Sequence, residues 1–247
     1  MLWLALLFLL VALIYASVGF GGGSTYTALL GLWGVDYQLI PMISLCCNII
    51  VVSGGVWRFR RAGLFDCKAT LPLLLVSAPL AFVGGLVPLK QWLFLLILGT
   101  ALFASCIALL VQTDSWKPRN LPKPALLCIS AVVGLLAGLS GIGGGIFMAP
   151  VLHLIRWADA KRIAAFSSLY ILINSIAGIG GQLLKTGTSA LDGVFVSYWP
   201  MLVAVFIGGQ IGGMLGMRLF SQTIMRRMTA LLVGYVAVRL IGQSLNF

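Results

Sequence analysis

Apolar residues run along this chain in long blocks rather than in alternation. The blocks are Leu2–Val18, Ile40–Trp57, Leu71–Pro88, Trp92–Val111, Ala125–Leu139, Ile163–Leu183, Val194–Met217 and Ile224–Ile241. Most approach the ~20 residues that a helix needs to cross a bilayer. The pattern predicts an all-α, polytopic helical membrane protein. Composition agrees: the chain is 61% hydrophobic and 9% charged, against about 25% charged in a soluble domain. The first block is longer than the apolar core of a signal peptide and opens without a positive charge, so it is expected to remain as a membrane segment.

Two of the blocks run into glycine. Gly19-Phe20-Gly21-Gly22-Gly23 and Gly141-Ile142-Gly143-Gly144-Gly145 stand 122 residues apart. Beyond them Asp36 aligns with Asp159, Asn48 with Asn174, Gly55 with Gly181 and Asp66 with Asp192, the offset drifting only to 126. The chain therefore reads as two copies of one design. Residues 1–112 form the first repeat and residues 124–247 the second. Residues 113–123, with Pro118, Pro122, Lys117, Arg119 and Lys123, form a solvated cytoplasmic linker between them. Each repeat holds one glycine-broken helical hairpin followed by three transmembrane helices.

Charge sets the topology. The net charge of +11 does not point to nucleic acid, because the basic residues fall between apolar blocks. Of the 16 Lys and Arg, only Lys90, Lys185 and Arg239 lie outside four clusters: 58–68, the linker, 156–162 and 218–227. Cytoplasmic loops are the positive ones. All four clusters face the cytoplasm if each broken hairpin returns to the side it entered. Three spans per repeat then turn the second copy upside down, an inverted-topology repeat with both chain termini outside.

The glycines need a reason. Three in a helix cost roughly 1 kcal/mol each against alanine, and unpaired backbone groups in lipid cost several kcal/mol each. Close helix packing explains scattered glycines such as Gly84, Gly85, Gly208, Gly209, Gly212, Gly213 and Gly216. The two matched runs suit a ligand site better. A short helix that starts after glycine offers free amide hydrogens and a positive dipole end, an anion cradle. The candidate substrate-binding residues are Gly21, Gly22, Gly23, Ser24, Thr25, Asn48, Ser140, Gly143, Gly144, Gly145 and Asn174. The chain has no glutamate, and its five aspartates all fall in predicted loops. This argues against a cation pathway or a carboxylate proton relay. His153, the only histidine, is read as an interfacial or packed residue. No catalytic or metal-ligating spacing is present, so no enzyme and no cofactor are expected. Coupling to an H⁺ or Na⁺ gradient stays open.

Gly138-Leu-Ser-Gly-Ile-Gly-Gly-Gly-Ile-Phe-Met-Ala-Pro150, Ser168 to Ser175, and Gly181 to Asp192 resemble the glycine-rich signature and following stretch of the sulfite exporter TauE/SafE family. The resemblance covers nearly the whole chain. The first-repeat copy is weaker, with Ala28 where Pro150 aligns. The resemblance implies a permease of the bacterial inner membrane for a small anion such as sulfite, a sulfonate or sulfoacetate. The bilayer and that anion are then the partners, and the oligomeric state, a homodimer included, is left open. Two other readings stand beside a carrier. One is a passive anion channel. The other is a thiol-dependent sulfur-compound uptake protein built on Cys46 and Cys47.

Overall fold

A computed structural model of the chain describes residues 2–36, 38–87, 99–100, 103, 106–107, 121–187, 189–219 and 221–245. Among these residues all regular structure is helical: α1 Leu2–Ser17, α2 Gly23–Leu32, α3 Ile40–Arg61, α4 Cys67–Leu86, α5 Lys123–Ser140, α6 Gly145–Leu154, α7 Ala160–Thr186, α8 Ser189–Leu219 and α9 Gln222–Leu245. Most of the expected span Trp92–Val111 and of the expected linker lies outside the described residues.

Local signals account for the element ends. Asp66 starts α4 by accepting from the Lys68 and Ala69 amides, and Asp159 starts α7 by accepting from the Arg162 amide. Pro41 sits in the first turn of α3, where its missing N–H costs nothing. Helices α3, α4, α5, α7 and residues Gly193–Gly216 of α8 are long and apolar enough to cross a membrane; α1 and α6 are shorter apolar helices. Large apolar side chains such as Trp57, Leu71, Leu75, Val196 and Trp199 are exposed on their outer faces, as lipid contact requires. The chain is a multi-pass membrane protein.

Helices α3 and α7 occupy the centre. Gly178 of α7 lies against Leu45 of α3, and Ser168 lies against Gly55, so these two helices run antiparallel. Helices α1 and α8 flank the pair on one side and α4 and α5 on the other. Gly208, Gly212 and Gly216 of α8 meet the carbonyls of Leu9, Leu13 and Ser17 of α1, and a Cβ at any of the three would collide with them. Gly134 and Gly138 of α5 meet the carbonyls of Ser77 and Ala81 of α4 in the same way. Both pairs are parallel, packed on small residues at a four-residue spacing. Each couples a hairpin arm of one sequence repeat to a span of the other.

The two short helices also end alike. The Trp33, Gly34 and Val35 amides donate to Leu29, Gly31 and Leu30; the Ile155, Arg156 and Trp157 amides donate to Val151, His153 and Leu152. Gly34 (φ 73°) and Arg156 (φ 51°) occupy the same left-handed position. The basic loops after α3 and before α7 share one end of the molecule, where Leu64 and Phe65 pack on Phe59, Ala160, Ala164 and Ala165.

Candidate functional site

The helix α1 stops at Ser17 and α2 begins at Gly23; α5 stops at Ser140 and α6 begins at Gly145. Gly22 (φ 93°) and Gly144 (φ 79°) form the N-caps in the left-handed region, which a side chain there would strain by roughly 1–2 kcal/mol. The Gly22 carbonyl accepts from the Thr25 and Tyr26 amides, and the Gly144 carbonyl from the Phe147 and Met148 amides. The amides of residues 21–24 and 143–146 meet no acceptor among the described residues. Two helix N-termini with bare N–H groups thus lie inside the protein.

Side chains of the central helices hold the breaks, and each break receives a bond from the opposite sequence repeat. Asn48 Nδ2 of α3 donates to the Ile142 carbonyl at 3.1 Å. The Ser44 hydroxyl, one turn earlier, reaches the Gly141 carbonyl at 2.9 Å and the Gly23 carbonyl at 3.0 Å, sharing its one proton between them. On α7, Ser168 Oγ donates to the Gly19 carbonyl at 2.9 Å. Within the first hairpin the hydroxyls of Tyr15 and Thr25 bond at 2.8 Å.

Asn48 stands between the two breaks. A Cβ at Gly21 would strike its Oδ1; at Gly23 it would lie 2.5 Å from Nδ2, and at Gly143 it would lie 3.1 Å from Nδ2 and 2.9 Å from Ser175 Oγ. Only glycine at these places lets the two backbones close on one side chain. The Ile142 carbonyl takes one of the two N–H donors of the amide, and the Asn48 oxygen has no partner. That atom is buried without a partner, as are Ser24 Oγ, Tyr26 OH, Ser167 Oγ, Ser175 Oγ and both ends of Asn174. Most buried polar groups in proteins are hydrogen-bonded, so a cluster of unsatisfied ones beside bare amides marks a place for a polar ligand.

The structure brings together Gly21, Gly23, Asn48 and Gly143, with Gly22, Gly144 and Gly145 shaping the caps. Ser24 is buried in the first turn of α2, and Asn174 is buried on α7 beside Ser175. Thr25 is engaged with Tyr15. Ser140 donates to the Leu136 carbonyl and accepts weakly from the Ile142 amide, so it braces its own break. Ser44, Ser168 and Ser175 escaped sequence reading because one buried serine in an apolar block looks like any other. The four-residue interval from Ser44 to Asn48, which puts both on one helix face, is the signal that finds the first of them.

The family model described as Sulfite exporter TauE/SafE matches residues 4–240. A protein of Sinorhizobium fredii named as a probable membrane transporter is 32% identical over 247 residues, covering 96% of this chain and 97% of that one. Another of that name from Methanocaldococcus jannaschii is 25% identical over 186 residues, covering 69% of this chain and 67% of its own. No solved structure matches the chain.

Proposed function

Because this chain belongs to the sulfite exporter TauE/SafE family, we propose that it is a secondary transporter of a small anion, sulfite or a sulfonate among them. The anion sits between the starts of α2 and α6, held by amides of residues 21–24 and 143–146 and oriented by Asn48, Ser24 and Ser175. The observation that carries this reading is the convergence of two acceptor-free helix N-termini on one buried asparagine. Each N-terminus presents about half a positive charge, and glycine removes the side chains that would keep a ligand away.

The two repeats are inverted in this reading, with both termini outside and the basic loops in the cytoplasm of a bacterial inner membrane. The antiparallel course of α3 and α7 and the shared end of the basic loops support it. The repeats interlock, however. Helix α1 is seated on α8, and α5 on α4. The bodies that move in alternating access are therefore α1, α2 and α8 against α4, α5 and α6, sliding along the α3–α7 seam, rather than one repeat against the other. Cys46 and Cys47 pack among Phe8, Tyr26 and Met42 in the apolar core, which favours a packing role over thiol chemistry.

Reconstituted protein tests the reading by counterflow. Vesicles loaded with unlabelled sulfite are expected to take up labelled sulfite transiently, and Asn48→Ala to lower that uptake about tenfold, the order expected when a buried hydrogen-bonding group is lost. Uptake that never saturates and shows no exchange would identify a pore instead.

A further inference from the structure

We propose that Ile171 is a specificity-determining residue: it gives the anion site an apolar wall that takes the non-hydrogen-bonding corner of a three-oxygen anion. The proposal rests on the transport reading above and deepens it.

The two halves of the chain meet in matching contacts. Gly19 lies on Ala164 of α7 as Gly141 lies on Pro41 of α3, and Gly55 lies on Ser168 as Gly178 lies on Leu45. Pro41 and Ala164, Leu45 and Ser168, and Gly55 and Gly178 each stand 123 residues apart. On that interval the counterpart of Asn48 is Ile171, not the Asn174 with which the sequence aligns it. The glycines repeat the match. A Cβ at Gly21 or Gly23 would strike the Asn48 amide. A Cβ at Gly143 would lie 2.9 Å from Ile171 Cγ2, and one at Gly145 would lie 2.5 Å from Cγ1 and 2.7 Å from Cδ1 of the same side chain. Each pair of glycines clears room around one side chain of a central helix. On α3 that side chain is an amide; on α7 it is aliphatic.

The two walls meet. The Cβ position at Gly143 lies 3.1 Å from Asn48 Nδ2, 2.9 Å from Ser175 Oγ and 2.9 Å from Ile171 Cγ2. Asn48 and Ser175 are fully buried, and Asn48 Oδ1 and Ser175 Oγ have no partner. Polar groups and bare amides thus stand beside a methyl group that can offer no hydrogen bond. An oxygen pressed on that methyl loses water and gains nothing, which is unfavourable, whereas a carbon there is favoured by its own burial. A sulfonate can turn its three oxygens to the amides and its carbon to Ile171. Sulfite can turn its sulfur lone pair, a poor acceptor, the same way. Sulfate has a fourth oxygen in every orientation.

The test uses the whole chain in proteoliposomes, with initial uptake rates of methanesulfonate and sulfamate at one neutral pH. Both anions carry a single negative charge and have nearly the same shape; they differ by a methyl against an amino group. Every charge of the protein acts on both alike, including that of Arg239 on α9, whose Nε is buried without a partner. The parent is expected to favour methanesulfonate by at least about tenfold, the low end of what one methyl decides in an apolar pocket. Ile171→Thr puts a hydroxyl in the wall and should bring that ratio close to one. Ile171→Val keeps the wall apolar and should preserve the ratio. By removing one carbon it should also raise ethanesulfonate uptake relative to methanesulfonate about fourfold, the worth of one buried methylene. A parent that moves sulfamate as fast as methanesulfonate overturns the proposal, and so does a ratio that Ile171→Thr leaves unchanged. Should Ile171→Thr fail to fold, an ethanesulfonate-to-methanesulfonate ratio that Ile171→Val leaves unchanged overturns it as well. If the parent neither binds nor moves any of these anions, the transport reading itself fails and the wall falls with it.

Discussion

Gly21 and Gly22 are neighbours with different duties. Gly22 adopts a left-handed turn, φ 93°, that starts α2. Gly21 has an ordinary backbone, and a Cβ there would collide with Asn48 Oδ1. The account therefore separates two alanine variants. Gly21→Ala drives a Cβ into the buried Asn48 side chain and should cut anion uptake about tenfold or more, with an overpacking cost of about 1–3 kcal/mol and no left-handed strain. Gly22→Ala should lower stability by about 1–2 kcal/mol through that strain, read as a lower melting temperature in detergent. If Gly21→Ala transports like the parent, the space beside Asn48 is not where the anion sits. Asn48 itself was legible from sequence, because an amide in mid-span needs a partner. Which of its atoms lacks a partner was not legible, since that depends on the Ile142 carbonyl arriving from 94 residues away.

At the scale of elements, the hairpins were the readable part and the packing was not. Left-handed glycine marks the start of each short helix, and both short helices are 10 residues long, about 15 Å and half of what a span requires. Glycine clusters, apolar block lengths and repeat offsets announced this much. The sequence does not say which helices touch, because Gly208, Gly212 and Gly216 would suit any close neighbour. Their partner is α1, whose Leu9, Leu13 and Ser17 carbonyls they cover. Gly212→Val should therefore push α1 away from α8 and destabilise the protein by about 1–3 kcal/mol or more, the usual size of overpacking. Denaturant titration in detergent measures it. A variant as stable as the parent would show that this contact is not tight.

For the whole molecule, the crossed pairing of α1 with α8 and α4 with α5 decides what can move. Rocking one repeat against the other would break both glycine seams at once. Sliding along α3 and α7 would break neither. A Cβ at Gly55 lies 4.0 Å from the Cβ of Ser168, within the range of about 3.5–4.5 Å for a disulfide. The pair Gly55→Cys and Ser168→Cys, with the exposed Cys67 and Cys128 replaced by serine, should crosslink α3 to α7. Transport should be arrested when oxidised and restored by reductant. Transport that continues through the crosslink would place the motion elsewhere. The central claim, that two inward-facing helix starts share one anion, is tested most directly by locating the anion. Crystals of the protein soaked with selenite, the heavier analogue of sulfite, should give one anomalous peak within hydrogen-bond distance of amides from both 21–24 and 143–146, beside Asn48. A selenium peak confined to the basic loops, with the space between α2 and α6 empty, would contradict the account.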